Sequence, residues 1–320
     1  DAQFRATQNN PGKLLRPTLL LLAYEAAGAW GQAGEGTEPA NYMRRALPVA
    51  AALELTHNFT LIHDDIEDND TERRHRPTLW KHWGIPQAIN TGDGMFALSR
   101  YILWDILEEG VDGLLAARLG ALLDHTTLII AEGQYLDISF EQRQDISVAM
   151  YLDMISRKTG ALMQCAAEMG AMLGTQNAET IQRLKRFGKA IGAAFQIRDD
   201  ILGVWATSAE LGKVAAGDIY RRKKSLPILH ALEQARPHEQ HQLHSIYQQA
   251  EPLTAEQVKL VLAIFEHTRT KQYCYEFLRR ECLMAHEALA HVPRHSNPIA
   301  ARALNDLDIL VNFIEEATRE

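Results

Sequence analysis

Strand signals are nearly absent from this chain. No alternating apolar and polar run bounded by hairpin turn residues occurs in its 320 residues, which argues against a β-rich fold. Cysteine is scarce. Cys165, Cys274 and Cys282 form no CxxC pair and are odd in number, which points away from a disulfide framework and towards reduced thiols in a cytoplasmic protein, each a small buried hydrophobe. There is no basic surplus: the net charge of −8 speaks against a nucleic-acid surface but leaves room for a local basic pocket that takes anions. The longest apolar run near the start, LLLLAYEAAGAW, is interrupted by Glu25, is too short to span a bilayer and lacks the layout of a signal peptide. The chain opens on Asp1 and not on Met, so the loss of a native leading segment is left open. No Ser/His/Asp or Cys/His arrangement offers a protein nucleophile.

What is present is helical. Apolar residues make up 46% and charged residues 23%, ordinary values for a globular protein. Leu, Ala, Glu, Gln and Arg dominate, and apolar positions recur at helical spacing. The punctuation breaks helices: Asn9-Asn10-Pro11-Gly12, the loop from Gly34 to Pro39, Gly84-Ile85-Pro86, Gly110, Gly174, Arg236-Pro237 and Val292-Pro293. Roughly ten helical segments lie between these breaks. With no repeat and no low-complexity linker, residues 1–320 read as a single all-α domain, one large helical bundle. The stretch from Gly203 to Ala216 reads as a loop that interrupts the helical pattern.

Two aspartate pairs carry the chemistry. Asp64-Asp65 lies in LIHDDIEDND and Asp199-Asp200 in FQIRDDILG. Asp64 and Asp68 are four apart, so a helix sets them one turn from each other on one face, with Glu67 and Asp70 nearby. Clustered carboxylates repel unless a cation sits among them, and hard oxygen donors suit Mg²⁺, which keeps waters or phosphate oxygens as its other ligands. The bland reading of the first cluster is a solvated acidic helix end; that of the second is a helix C-terminal turn closed by Gly203. Gln196 stands about one turn before Asp199. Basic residues accompany both pairs. Arg73-Arg74 follows the first; Lys213 and Lys223-Lys224 follow the second; Lys13 and Arg16 sit three apart in PGKLLRP; Lys158-Thr159 is a further candidate contact. Each cation alone is most simply a surface ion pair. Acidic and basic clusters together, on several segments, fit a metal-bridged diphosphate better. His57 lies two turns before Asp64 on nearly the same face.

At these residues the chain resembles the trans-isoprenyl diphosphate synthases, also called polyprenyl synthetases. The resemblance runs from PGKLLRPTLL at residues 11–20 to KKSLPILHAL at 223–232, through LELTHNFTLIHDDIEDNDTERRHRPTLW, AINTGD at 88–93, GQYLDI at 133–138, RKTGAL at 157–162 and FQIRDDILG. It implies that Asp64 and Asp68, with Asp65 in support, and Asp199, with Asp200 beside it, bind Mg²⁺, three ions per active site when substrate is bound. It implies that Lys13, Arg16, His57 and Arg74 hold isopentenyl diphosphate. Arg73, Lys158, Thr159, Gln196, Lys213 and Lys223 would then engage the allylic diphosphate. It further implies a homodimer of helical bundles. Three departures stand out. Gly203 replaces the last acid of the second motif, a variation that active relatives tolerate; His75 stands where glycine is usual; the AAGD at 215–218 is a loose version of its region.

The implied reaction is condensation of isopentenyl diphosphate with an allylic diphosphate inside an apolar cavity. Phe59, five residues before Asp64, matches the position that blocks the product tunnel, which points to a C15 or C20 product and most to geranylgeranyl diphosphate. Helix geometry leaves core packing open for it, since it falls roughly 140° around the helix from Asp64. A class I terpene cyclase on the same fold would need no second diphosphate pocket. A non-catalytic partner subunit would be expected to lack acids of the first motif, and a helical scaffold has to treat every cluster as coincidence.

Overall fold

A computed structural model describes residues 14–29, 42–74, 76–141, 143–206, 216–294 and 297–316. Fourteen α-helices appear among them. In chain order they are α1 (Leu15–Ala26), α2 (Leu47–Glu67), α3 (Leu79–Trp83), α4 (Ile85–Leu103), α5 (Gly113–Glu141), α6 (Val148–Ile155) and α7 (Ala161–Gly174). Then come α8 (Ala178–Trp205), α9 (Gly217–Tyr220), α10 (Leu226–Gln234), α11 (Pro237–Gln248), α12 (Ala255–His267), α13 (Thr270–Ala290) and α14 (Pro298–Glu315). The fold is all-α, as the helical spacing requires. The expected ten segments become fourteen partly because α3 and α9, of 5 and 4 residues, are too short to leave a periodic signal. The only strands among the described residues are β1 (Glu72–Arg73) and β2 (Arg76–Pro77), an antiparallel hairpin directly after α2.

Local chemistry sets the boundaries. Pro48 stands in the first turn of α2, where its missing N–H costs nothing. Gly84 adopts φ 83 and separates α3 from α4. Ser147 caps α6 by accepting from the Met150 N–H at 3.2 Å. Thr254 and Gln257 form a reciprocal capping box at α12. Gly203 does not end its helix: α8 runs on to Trp205, so the expected break at Gly203 falls later. Most of the Gly203–Ala216 stretch, residues 207–215, lies outside the described residues.

Contacts divide the chain into two compact units, each built from three stretches of sequence. The first comprises residues 1–128, 162–188 and 291–307. Its core gathers Leu19, Leu20, Tyr24, Leu53, Leu119 and Met163, all with almost no exposure. Here α2 and α4 pack along their length, and α1 packs on α2. The second comprises residues 129–161, 189–290 and 308–320, with Ile191, Ile197, Leu226, Phe265 and Leu278 at its centre. The chain passes from one unit to the other within α5, α8 and α14, at the first residue of α7 and after α13, so no linear cut separates them.

Candidate functional site

In the first unit, α2 carries the acidic motif on its last turns. Asp64 is partly exposed, Asp65 buried and Asp68 exposed at the helix C-cap. Asn69 then takes a left-handed φ of 56, which turns the chain into the hairpin and brings Arg73 back over the acids. Arg73 Nη2 lies 3.1 Å from Asp64 Oδ2, its Nε donates to Asp65 Oδ1, and Asp70 Oδ2 is 3.9 Å away. Burial raises the Asp65 carboxyl above the usual range, against the pull of Arg73. Burial alone would lower Arg73, but its carboxylate partners outweigh it and hold the guanidinium above its ordinary value.

Two turns back along α2, His57 meets α1. Arg16 Nη1 stands 3.0 Å from His57 Nε2, and because a guanidinium can only donate, Nε2 accepts and the ring proton belongs on Nδ1. Burial, with Arg16, Arg74 and Arg73 close by, lowers the His57 pKa to about 3, so the ring is neutral. Arg74 sits in the hairpin turn with φ 54. The residue the motifs do not flag is Glu54, one turn before His57. Its carboxyl is raised by burial and opposed by Asn58, Arg16 and Arg74. Its spacing from His57 and Asn58 on one helix is the signal that could have found it. Phe59 is buried and meets Phe96 of α4 edge-on, with ring centroids 5.3 Å apart. Lys13, expected beside Arg16, lies outside the described residues, as do His75 and Lys213.

In the second unit, adjacent positions on α8 point about 100° apart and meet different surroundings. Asp199 is exposed and Asp200 fully buried. Every partner of Asp200 is a donor. Tyr151 OH donates to Oδ2 at 2.5 Å, the Leu226 N–H at 3.4 Å, Gln196 Nε2 to Oδ1 at 3.2 Å, and Lys223 Nζ stands 3.6 Å from Oδ1. Thr159 Oγ1 extends this network by donating to Gln196 Oε1 at 3.1 Å. Burial raises the Asp200 carboxyl, opposed by Lys223 and these donors. Burial works to lower Lys223, but Asp200, Asp218 and Asp137 together hold it above its ordinary value. Asp200 is thus enclosed by donors, with the Lys223 ammonium on its Oδ1 side.

Lys158 and Thr159 project from a π-helical turn, Ser156–Gly160, between α6 and α7, a wide turn of the kind that recurs at functional sites. Lys158 Nζ donates to Asp137 Oδ2 of α5 at 2.6 Å. The turn can lie against α5 because residue 133 is glycine: a Cβ there would overlap the Lys158 backbone and stand 2.9 Å from the Arg157 carbonyl carbon. Asp137 belongs to the GQYLDI segment and could have been read from it. Tyr151 is a lone aromatic in AMYLDM and carries no sequence signal.

Among the described residues no three acids, histidines or cysteines converge to form a ready metal centre. Mg²⁺ fits the donors all the same. It is commonly held by one or two carboxylates with waters and phosphate oxygens, and Asp64, Asp68 and Asp199 present hard oxygens that are not fully buried.

Comparison with known proteins bears on this arrangement. A family model described as polyprenyl synthetase matches residues 2–265. A (2E,6E)-farnesyl diphosphate synthase of Mycobacterium tuberculosis is 39% identical over 228 residues, covering 71% of this chain and 59% of that protein. The match thus spans less than two thirds of the mycobacterial protein. A geranylgeranyl diphosphate synthase of Saccharolobus solfataricus is 35% identical over 296 residues, 92% of this chain and 84% of that one. The crystal structure of geranylgeranyl pyrophosphate synthetase from Pyrococcus horikoshii is 31% identical and superposes with a TM-score of 0.85 over 98% of this chain and 88% of that chain.

Proposed function

Since the chain belongs to the polyprenyl synthetase family, we propose that it is a prenyltransferase condensing isopentenyl diphosphate with an allylic diphosphate to a trans C15 or C20 product, foremost geranylgeranyl diphosphate. One observation carries this reading over a cyclase on the same fold. Arg16, Arg74 and a neutral His57 gather two turns from the DDxxD acids of α2, a second cationic site beside the first. A cyclase handles one diphosphate and has no use for it.

In this reading Asp64, Asp68 and Asp199 hold Mg²⁺, which when bound supplies positive charge against the leaving diphosphate. Arg73, Lys158, Thr159, Gln196, Lys213 and Lys223 orient that diphosphate and stabilise the charge it gains as the allylic C–O bond ionises. Arg16, Lys13, Arg74 and His57 hold isopentenyl diphosphate so that its double bond meets C1. The Nδ1–H of the neutral His57 ring is a donor that adds no charge. An apolar cavity keeps water from the cation, and the departing diphosphate takes the proton lost at the end.

The protein is tested with dimethylallyl, geranyl and farnesyl diphosphates, each with and without isopentenyl diphosphate. Product that needs both substrates and is lost with EDTA supports condensation; product from the allylic substrate alone sinks it. For product length we place Phe59 at the tunnel floor. Phe59→Ala is expected to lengthen the product, and chromatography showing an unchanged length would remove Phe59 from that role.

The same reading makes the protein a cytoplasmic homodimer. Among the described residues α5 is the one helix long and apolar enough to cross a membrane, and only 28% of its apolar window is buried. A span is disfavoured because Asp124, Glu132 and Asp137 on it engage Arg100, Arg157 and Lys158. A second copy covering Leu114, Leu128 and Tyr135 accounts for its exposure. Light scattering at micromolar concentration should read twice the chain mass.

A further inference from the structure

The second acidic motif ends in Gly203 where its pattern calls for an acid, and the structure shows what occupies that space. A Cβ built on Gly203 would stand 2.9 Å from Asp218 Oδ1, 2.5 Å from Asp218 Cγ, and overlap Asp218 Oδ2. Asp218 belongs to α9, a separate element, and is only 4% exposed. It is held firmly. Arg221 Nη2 lies 2.7 Å from its Oδ1, and the Lys223 N–H donates to its backbone carbonyl at 2.9 Å. Its Oδ2 is 3.9 Å from Lys223 Nζ, against 3.6 Å for Asp200 Oδ1.

We infer that Asp218 supplies the carboxylate that position 203 lacks, and that with Asp200 it brackets and positions the Lys223 ammonium. The glycine is then no loss from the motif. It is the vacancy that lets an acid from another helix reach the same place, because any side chain at 203 would collide with it. Asp218 touches Lys223 and acts through it, so it is a positioning residue. Lys223 carries a long flexible stem, and one carboxylate would leave its ammonium free to swing. Two carboxylates on separate helices fix its direction. This assignment of purpose rests on the condensation reading; the packing of Asp218 against Gly203 does not.

A swap tests it. Gly203→Ala is expected to lower Tm by about 2–6 °C in the wild type, through overpacking. In the Asp218→Ala background the same change should be neutral or stabilising, since alanine is the better helix former. Asp218→Ala should reduce turnover on the order of tenfold to a hundredfold, with KM rising for the allylic substrate and not for isopentenyl diphosphate. Gly203→Asp alone should also be impaired. The double variant Gly203→Asp/Asp218→Ala, with its acid moved to the other helix, should recover about tenfold over Asp218→Ala. An equal thermal cost of Gly203→Ala in both backgrounds overturns the placement. A folded double variant no better than Asp218→Ala, or an Asp218→Ala variant with both KM values shifted equally, overturns the role of Asp218. If the wild type makes no product from the paired substrates, the condensation reading fails while the thermal comparison still decides the packing.

Discussion

The two aspartate pairs spell the same dipeptide and live in different physical worlds. At the end of α2 a guanidinium from the hairpin turns back to neutralise the acids of the first motif: Asp65 is buried and Asp64 only 17% exposed, but Asp70 is 55% exposed and Asp68 caps the helix in the open. In the middle of the second unit Asp200 is wholly enclosed by a phenol, an amide, a backbone N–H and an ammonium. An open cluster costs little desolvation and can exchange one cation for another, which suits a metal that arrives with its substrate. A closed carboxylate is a fixed point from which other groups are aimed. In the proposed reading, the open acids are the ones that hold Mg²⁺ and the closed one holds the residues around it.

That contrast can be broken experimentally. The largest effect should come from Asp64→Asn. Turnover is expected to fall on the order of a hundredfold to a thousandfold, the scale for removing one electrostatic stabiliser of a transition state. Its Tm should fall far less than that of Asp200→Ala, because asparagine keeps the volume and an oxygen that can accept from Arg73. A steady-state assay and a melting curve on one preparation decide this. Asp200→Ala should do the reverse. It leaves a buried tyrosine hydroxyl, an amide and a backbone N–H without their acceptor, so urea unfolding should show a loss of about 3–5 kcal/mol. Equal stability losses in the two variants would erase the distinction.

The smallest effect is a pH dependence confined to the first unit. His57 is held neutral, its pKa lowered from 6.5 to about 3. A group depressed in the folded state contributes stability that is fully present above its unfolded pKa. That contribution is lost as pH falls through the window from 6.5 towards 3. Wild type should therefore lose Tm faster than His57→Asn on acidification from pH about 6.5 to 5, where the unfolded chain takes up close to one extra proton. Parallel curves for the two proteins would mean that His57 is not held neutral by burial beside Arg16.

Helical spacing, breakers and ordered motifs made the all-α class and the chemistry-bearing segments readable in one dimension. Asp64, Asp68 and His57 could be placed on one helix from their spacing; α2 carries His57 and Asp64, and Asp68 is its C-cap. The periodicity that marks a helix also fixes which side chains share its face. Other features had no linear signature. Tyr151 reaches Asp200 across 49 residues, and Glu54 acquires its meaning only when Arg16 and the hairpin converge on it. Whether an aspartate meets water or is sealed among donors depends on neighbours brought by other helices, as Asp199 and Asp200 show side by side.

The sequence by itself determined which segments coil, where the acids and cations lie along them, and the family to which those motifs belong, because these follow from local spacing and residue chemistry. The tertiary structure alone decided that Arg73 covers the first acids, that Asp200 is closed to solvent, and that Gly203 faces Asp218. Each of these depends on an approach between segments that no local propensity encodes. In the last case it depends on the absence of a side chain, whose meaning appears only once the group filling its place is known.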